Sequence, residues 1–229
     1  MTRELSKTQV DRLGERLRDT ALTEADLKLL DEYRLALRDA YDHVVLTLRE
    51  KLHLEPTGRA AKSTSSVIEK LRRESIRLSQ MQDLAGCRIV VKDLAEQEAV
   101  VESLSSVFQE ASIIDRRATP SHGYRAMHVV VRVSGRPVEI QVRTELQHLW
   151  AELSEKFADS YDPMLKYGGG DPQPREWLLL VSRQLALVEN KSPERHREIG
   201  SWLTGDLRSI LQQLDKLKVM QDKLNRRKP

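Results

Sequence analysis

Between His122 and Thr144 the chain reads HGYRAMHVVVRVSGRPVEIQVRT, with Glu139, Gln141 and Arg143 at two-residue intervals. Successive side chains of a strand point to opposite faces, so these three share one face while Val138, Ile140 and Val142 share the other. A half-buried strand ordinarily shows water a mixture of Thr, Ser and Lys. This one presents an acid, an amide and a guanidinium, with Tyr124, Arg125 and His128 just before it. The plain alternative is an edge strand with a solvated face. A second concentration lies in TGRAAKSTSSVIEKLRR, which carries Arg59, Lys62, Lys70, Arg72 and Arg73 around one loop-to-helix junction. Charge runs are usually solvated. A helix N-terminus flanked by Lys and Arg nevertheless suits phosphate, because its free N–H groups and positive dipole end favour anions.

The elements that must hold these residues follow from pattern. Two β-branched runs, Val129–Val133 and Val138–Val142, flank Ser134-Gly135 and fold back as a hairpin. Residues 6–18 form a short helix. Thr23, with Asp26 three residues on, caps a longer helix to about Leu52, whose stripe Leu30, Tyr33, Leu37, Tyr41, Val44, Leu48 has helical spacing. Pro56 and Gly58 break the pattern over His53–Lys62, and Ser63–Ser66 opens a helix through Arg73. Cys87–Val91 is a strand, with Cys87 as core packing. Asp93 and Glu96 box a helix to about Gln109, and Ser112–Asp115 is a short strand. Thr144 and Gln147 box a further helix with apolar face Leu146, Trp150, Leu153 and Phe157.

Tyr161–Pro174 contains Gly168-Gly169-Gly170. It lacks the Gly-Lys-Ser/Thr ending of a P-loop and reads as a flexible linker. Helices follow over about Arg175–Glu189 and Pro193–Asn225. The last carries Leu207, Ile210, Leu214, Leu217 and Leu224 as a coiled-coil-like seam. That seam either folds back on the core or meets another copy, so a homo-oligomer through this helix is one of two outcomes. Helices beside a small mixed sheet predict an α+β fold, with N-terminal helices over 1–54, a core over 55–160 and a C-terminal helical region over 161–229.

Charged residues make up 32% of the 229 and aromatics 4%, the balance of a helix-rich water-facing protein. A net charge of +3 admits an anionic ligand but is too small for a protein that coats duplex nucleic acid. The single cysteine excludes an internal disulfide and fits a reducing compartment. No apolar run reaches membrane-spanning length and no signal-peptide pattern follows Met1, so a cytoplasmic protein without membrane partners is expected.

GYRAMH followed by EIQVRT resembles the GYR-x-x-H and EIQ-hydrophobic-RT motifs of the RelA/SpoT alarmone synthetases. Those enzymes move pyrophosphate from ATP to the ribose 3′-hydroxyl of GTP or GDP in the stringent response. Ser66-x-x-x-Lys70-Leu71 is similar to their basic ATP-holding motif, although Arg59-Ala-Ala-Lys62 has one residue more than the usual Arg-x-Lys. Asp83-Leu-Ala-Gly-Cys-Arg88 resembles their third motif. The resemblance runs roughly from Arg59 to Ala158.

It implies that Asp83 binds Mg²⁺ and Arg88 flanks the adenine, while Arg59, Lys62, Ser66 and Lys70 hold ATP. Tyr124 would stack on the acceptor base, with Arg125, His128 and Gln141 also on the acceptor side. Glu139 would hold Mg²⁺ or take the 3′-proton, and both roles stay open. No His-Asp dipeptide occurs, so the resemblance implies a stand-alone small synthetase without the hydrolase half of long family members. Two rivals differ in consequence. One is a toxin-type enzyme that pyrophosphorylates the 3′-end of tRNA, for which Arg72, Arg73, Arg116 and Arg117 are suited. The other is a catalytically inactive oligomeric regulator.

Overall fold

A computed structural model of the chain describes residues 5–19, 22–191, 205–213 and 216. Its elements in chain order are α1 (Lys7–Arg18), α2 (Glu24–Leu52), β1 (Thr57–Arg59), α3 (Thr64–Arg73), β2 (Gly86–Val91), α4 (Leu94–Val107), β3 (Ala111–Asp115), β4 (Met127–Val133), β5 (Arg136–Thr144), α5 (Glu145–Ser160) and α6 (Pro172–Glu189). Short 3-10 turns occupy Leu78–Gln80 and Pro163–Tyr167, and residues 205–213 are helical. The five strands form one mixed sheet in the order β1-β2-β5-β4-β3, which is the α+β architecture expected.

The chain divides into two compact units. The first comprises Met1–Ile89, Val100–Ile114 and His128–Val142; the second comprises Val90–Ala99, Asp115–Met127 and Arg143–Pro229.

In the first unit the helix starts follow their caps. Ser6 and Gln9 form a capping box at α1, and Thr23 and Asp26 form another at α2. The Ser63 hydroxyl accepts the Ser66 N–H at the start of α3. Each such cap is worth about 1 kcal/mol. Helix α1 packs on α2, α3 and the Leu78–Gln80 turn. The hairpin closes through Ser134 and Gly135 at φ 50° and 73°, the paired positive values of a type I′ turn. Val138, Ile140 and Val142 are fully buried, each contributing roughly 1.5–3 kcal/mol.

The edge-strand alternative falls here and one expectation changes. β5 is the middle strand of the sheet, and of its polar residues Glu139 and Arg143 are buried and Gln141 half-buried. β1 arises inside the stretch read as a break, because an exposed three-residue edge strand tolerates Pro56 beside it and Gly58 within it. It pairs antiparallel with β2 in the register Thr57↔Arg88, Gly58↔Cys87, Arg59↔Gly86.

In the second unit α5 packs on α6 and on the Pro163–Tyr167 turn, around Leu146, Leu149, Trp150, Leu153, Leu178 and Leu185. Thr144 and Gln147 form the expected capping box. The triple-glycine stretch is not a linker: Pro163–Tyr167 is a 3-10 turn with Leu165 buried, ending on Gly168 at φ 74°. Asp171 then caps α6 with Pro172 at its first position, three residues earlier than the periodicity implied. Leu207 and Leu211 are buried in this same core with Ile210 against it, so over 205–213 the seam folds back on its own chain. Leu214, Leu217 and Leu224 lie outside the described residues.

Candidate active site

The sheet positions the charged residues of the first unit. Opposite residues of an antiparallel pair point the same way, so Arg59, Gly86 and Arg88 share a face, and buried Cys87 and Ile89 share the other. A Cβ placed on Gly86 would sit 2.8 Å from the Glu139 carbonyl oxygen and 3.5 Å from Glu139 Cβ. Glycine therefore permits the close approach of β2 to β5, and Glu139 stands on the same face as Arg59 and Arg88. Gln141 joins them by alternation. His128 reaches that face from β4.

Glu139 is buried, and both of its oxygens are engaged. Oε1 meets Nδ1 of His128 at 2.9 Å, and Oε2 accepts from Nε2 of Gln141 at 2.7 Å. Burial alone would push its carboxyl up. The bond and charge of His128, with the Gln141 bond, outweigh that and hold it below the usual carboxylate range. The negative charge of Asp83 acts on it in the opposite sense, so the two carboxylates lie within electrostatic reach of each other.

Asp83 occupies the turn before β2. Lys62 Nζ lies 2.7 Å from its Oδ2 and Lys70 Nζ 2.9 Å from its Oδ1. Burial raises its carboxyl, but the two ammonium groups prevail and keep it below the ordinary value of 3.8. The Lys62 N–H donates to the Leu84 carbonyl at 2.7 Å, which ties the basic loop to this turn. Lys70 sits on α3, and Ser66 in the first turn of that helix accepts the Ser63 hydroxyl at 2.8 Å. Cys87 beneath is inert packing: burial, then the charge of Glu139, pushes its thiol up to about 12.

Two carboxylates, two ammonium groups and a helix N-terminus in one unit are groups that can hold phosphate and a hard cation. Among the described residues no three His, Cys, Asp or Glu side chains converge as a closed metal cage. Asp83 and Glu139 as hard oxygen donors fit an ion such as Mg²⁺, which takes one or two carboxylates and leaves its other positions to water and phosphate.

Comparison with known proteins points to one family. Residues 58–162 match the model described as the region found in RelA / SpoT proteins. The chain carries a RelA/SpoT domain. An uncharacterized protein of Mycobacterium tuberculosis is 35% identical over 179 residues, covering 75% of this chain and 64% of its own length. The chain thus spans less than two thirds of that curated relative. GTP pyrophosphokinase YjbM of Bacillus subtilis is 35% identical over 132 residues, covering 51% of this chain and 59% of the relative. Among solved structures, the small alarmone synthetase 1 of Bacillus subtilis bound to its product pppGpp superposes with a TM-score of 0.56 at 28% identity, covering 78% of this chain and 98% of that one.

The RelA/SpoT domain does not keep all its motif residues in one unit. Arg59, Lys62, Ser66, Lys70, Asp83, Arg88, His128, Glu139 and Gln141 belong to the first, whereas Tyr124 and Arg125 belong to the second. There Tyr124 is held by Arg143, whose Nη2 donates to the phenol oxygen at 3.1 Å and whose guanidinium carbon lies 4.9 Å from the ring centroid. Sequence reasoning assigned Arg143 no role. Arg125 donates from Nε to Ser182 at 3.2 Å and from Nη1 to the Arg117 carbonyl at 2.8 Å, and Ser182 donates to the Gly123 carbonyl. Arg125 thereby fixes the backbone that presents Tyr124. Of the arginines suited to tRNA, three bond within the chain. Arg72 donates to the carbonyls of Arg18 and Asp19, Arg73 pairs with Glu69 and Glu74, and Arg117 pairs with Asp115 and Glu98.

Proposed function

We propose that this chain is a GTP pyrophosphokinase, transferring pyrophosphate from ATP to the ribose 3′-hydroxyl of GTP or GDP. The observation that carries the reading is the Lys62–Asp83–Lys70 cluster in the unit that also holds Glu139 between His128 and Gln141. Support comes from the relative named a GTP pyrophosphokinase and from the neighbour whose structure holds pppGpp as its product.

Transfer of this kind is positioning and charge stabilisation more than covalent chemistry by the protein. Lys62 and Lys70 exchange their partner Asp83 for the donor phosphates, and the first-turn N–H groups of α3 add a dipole favourable to the same anion. Asp83, freed of the lysines, and Glu139 would hold Mg²⁺, which would supply neutralisation of phosphate charge. Arg59 and Arg88, on one sheet face, take the nucleoside end of ATP. Tyr124 stacks on the acceptor base, steadied by Arg143. His128 and Gln141 align Glu139. Glu139 either completes the metal site or takes the 3′-proton. As a ligand, its replacement by Gln weakens Mg²⁺ activation; as a base, the replacement lowers the rate at unchanged Mg²⁺ activation.

No helix among the described residues is long and apolar enough to cross a membrane. The reading places the enzyme in the cytoplasm, where its nucleotides are. The test is to incubate the protein with β-labelled and with γ-labelled ATP and offer GTP, GDP, ATP and tRNA in turn. Label from both positions on GTP or GDP is expected. Label on tRNA alone, or on no acceptor, overturns the assignment.

A further inference from the structure

The RelA/SpoT match begins at residue 58, yet the basic helix inside it is held from outside. Arg34 of α2 donates from Nη2 to the Lys62 carbonyl at 2.7 Å and from Nη1 to the Thr64 hydroxyl at 2.9 Å. Its side chain is only 12% exposed. At the other end of α3, Arg18 of α1 donates from Nε to the Leu71 carbonyl at 2.8 Å and from Nη2 to the carbonyls of Glu74 and Ile76. Arg72 returns the tie, donating to the carbonyls of Arg18 at 3.1 Å and Asp19 at 2.9 Å.

The last carbonyls of a helix lack intrahelical partners, and one guanidinium has donors enough for several of them. Helix α1 is itself seated closely. A Cβ on Gly14 would lie 2.7 Å from Leu78 Cβ, and Asp11 Oδ1 accepts the Ser79 N–H at 3.2 Å.

Between these two grips lie Lys62 and Lys70, the two cations on Asp83. Arg34 holds the backbone carbonyl of Lys62 itself. Such a frame fixes both ammonium groups at once, and displacements of about 1 Å cost up to ~10²-fold in sites that work by positioning. We propose that Arg34 and Arg18 are positioning residues for donor binding, supplied by helices that precede the matched domain. The proposal rests on the reading of Lys62 and Lys70 as the donor grip. It also explains why arginine stands at position 34: lysine reaches one of the two acceptors and cannot fork between them.

The experiment compares Arg34→Ala, Arg34→Lys and Arg18→Ala with Arg49→Ala, an exposed arginine of α2 that pairs with Glu55. Binding of a non-hydrolysable ATP analogue is measured by calorimetry, and amide exchange over residues 62–76 is measured without nucleotide. Arg34→Ala should weaken analogue binding about tenfold or more and leave the acceptor KM within about twofold, since only the donor side is displaced. Exchange should quicken at residues 63–67 in Arg34→Ala and at 71–76 in Arg18→Ala. Arg34→Lys should fall between, and Arg49→Ala should match the parent. A folded Arg34→Ala with unchanged affinity and exchange overturns the proposal. If that variant melts, an Arg34→Lys indistinguishable from the parent overturns it equally. Should the parent bind no ATP analogue, the donor-site reading fails, and the exchange pattern alone then decides whether the arginines hold α3.

Discussion

Glu139 in the first unit and Glu189 in the second are 9% and 7% exposed, and each receives two hydrogen bonds from side chains. The partners differ in kind. Glu189 is bonded by Thr144 and Gln147, the N-cap and third residue of α5, so its carboxylate completes a helix start where negative charge is favoured. Glu139 caps nothing. It is gripped by an imidazole and an amide and feels the charge of a second carboxylate, whose raising effect those two partners outweigh. A buried acid whose partners serve secondary structure fits a scaffold role. The proposed function makes the other acid, set against a like charge, part of the site.

The comparison breaks most sharply under Glu139→Gln. Shape is kept and only the charge and basic lone pair go, so turnover should drop by at least ~10²-fold with the melting temperature barely moved. Near-normal turnover in a folded variant would refute the site. Tyr124→Ala comes next. Losing one stacked base predicts acceptor affinity weaker by about tenfold to a hundredfold, or ~1–3 kcal/mol, with ATP affinity kept. An equal loss for ATP would move Tyr124 to the donor side. Glu189→Gln should do the reverse of Glu139→Gln: stability falls by roughly 1–3 kcal/mol on denaturant titration, because a buried polar set loses its charged acceptor, and turnover per folded molecule holds.

Asp115→Asn is the smallest change. Burial raises the Asp115 carboxyl, but bonds from the Arg117 side chain and from the Arg117 and Ala118 N–H groups outweigh it and hold it below 3.8. A depressed folded value means a contribution present in full above the unfolded value and lost as pH falls through the folded one. The parent should therefore lose stability below about pH 4, and Asp115→Asn should show a flatter acid limb there with a small loss of stability at neutral pH. Parallel acid limbs would contradict that role.

Signals confined to a few neighbouring residues carried most of the fold. Ser6, Thr23, Ser63 and Thr144 start helices where their side chains reach an N–H three residues on, and Ser134-Gly135 turns a hairpin because both residues adopt positive φ. β1 was illegible, since Pro56 and Gly58 speak for a loop and only pairing with β2 makes the segment a strand. The central place of β5 was illegible for a related reason: its alternation looks the same in an edge strand. In the site, Asp83, Glu139 and the lysines stand in recognisable motifs. Arg18 and Arg34 do not, because their partners lie 28 to 58 residues away and nothing local marks them.

The central claim is that two phosphates leave ATP together, and the identity of the co-product tests it most directly. With ATP and GTP or GDP supplied, chromatography of the spent reaction should show AMP formed one-for-one with a guanosine nucleotide bearing pyrophosphate on its 3′-oxygen. ADP in place of AMP, or AMP and free pyrophosphate with the guanosine nucleotide unchanged, would contradict it.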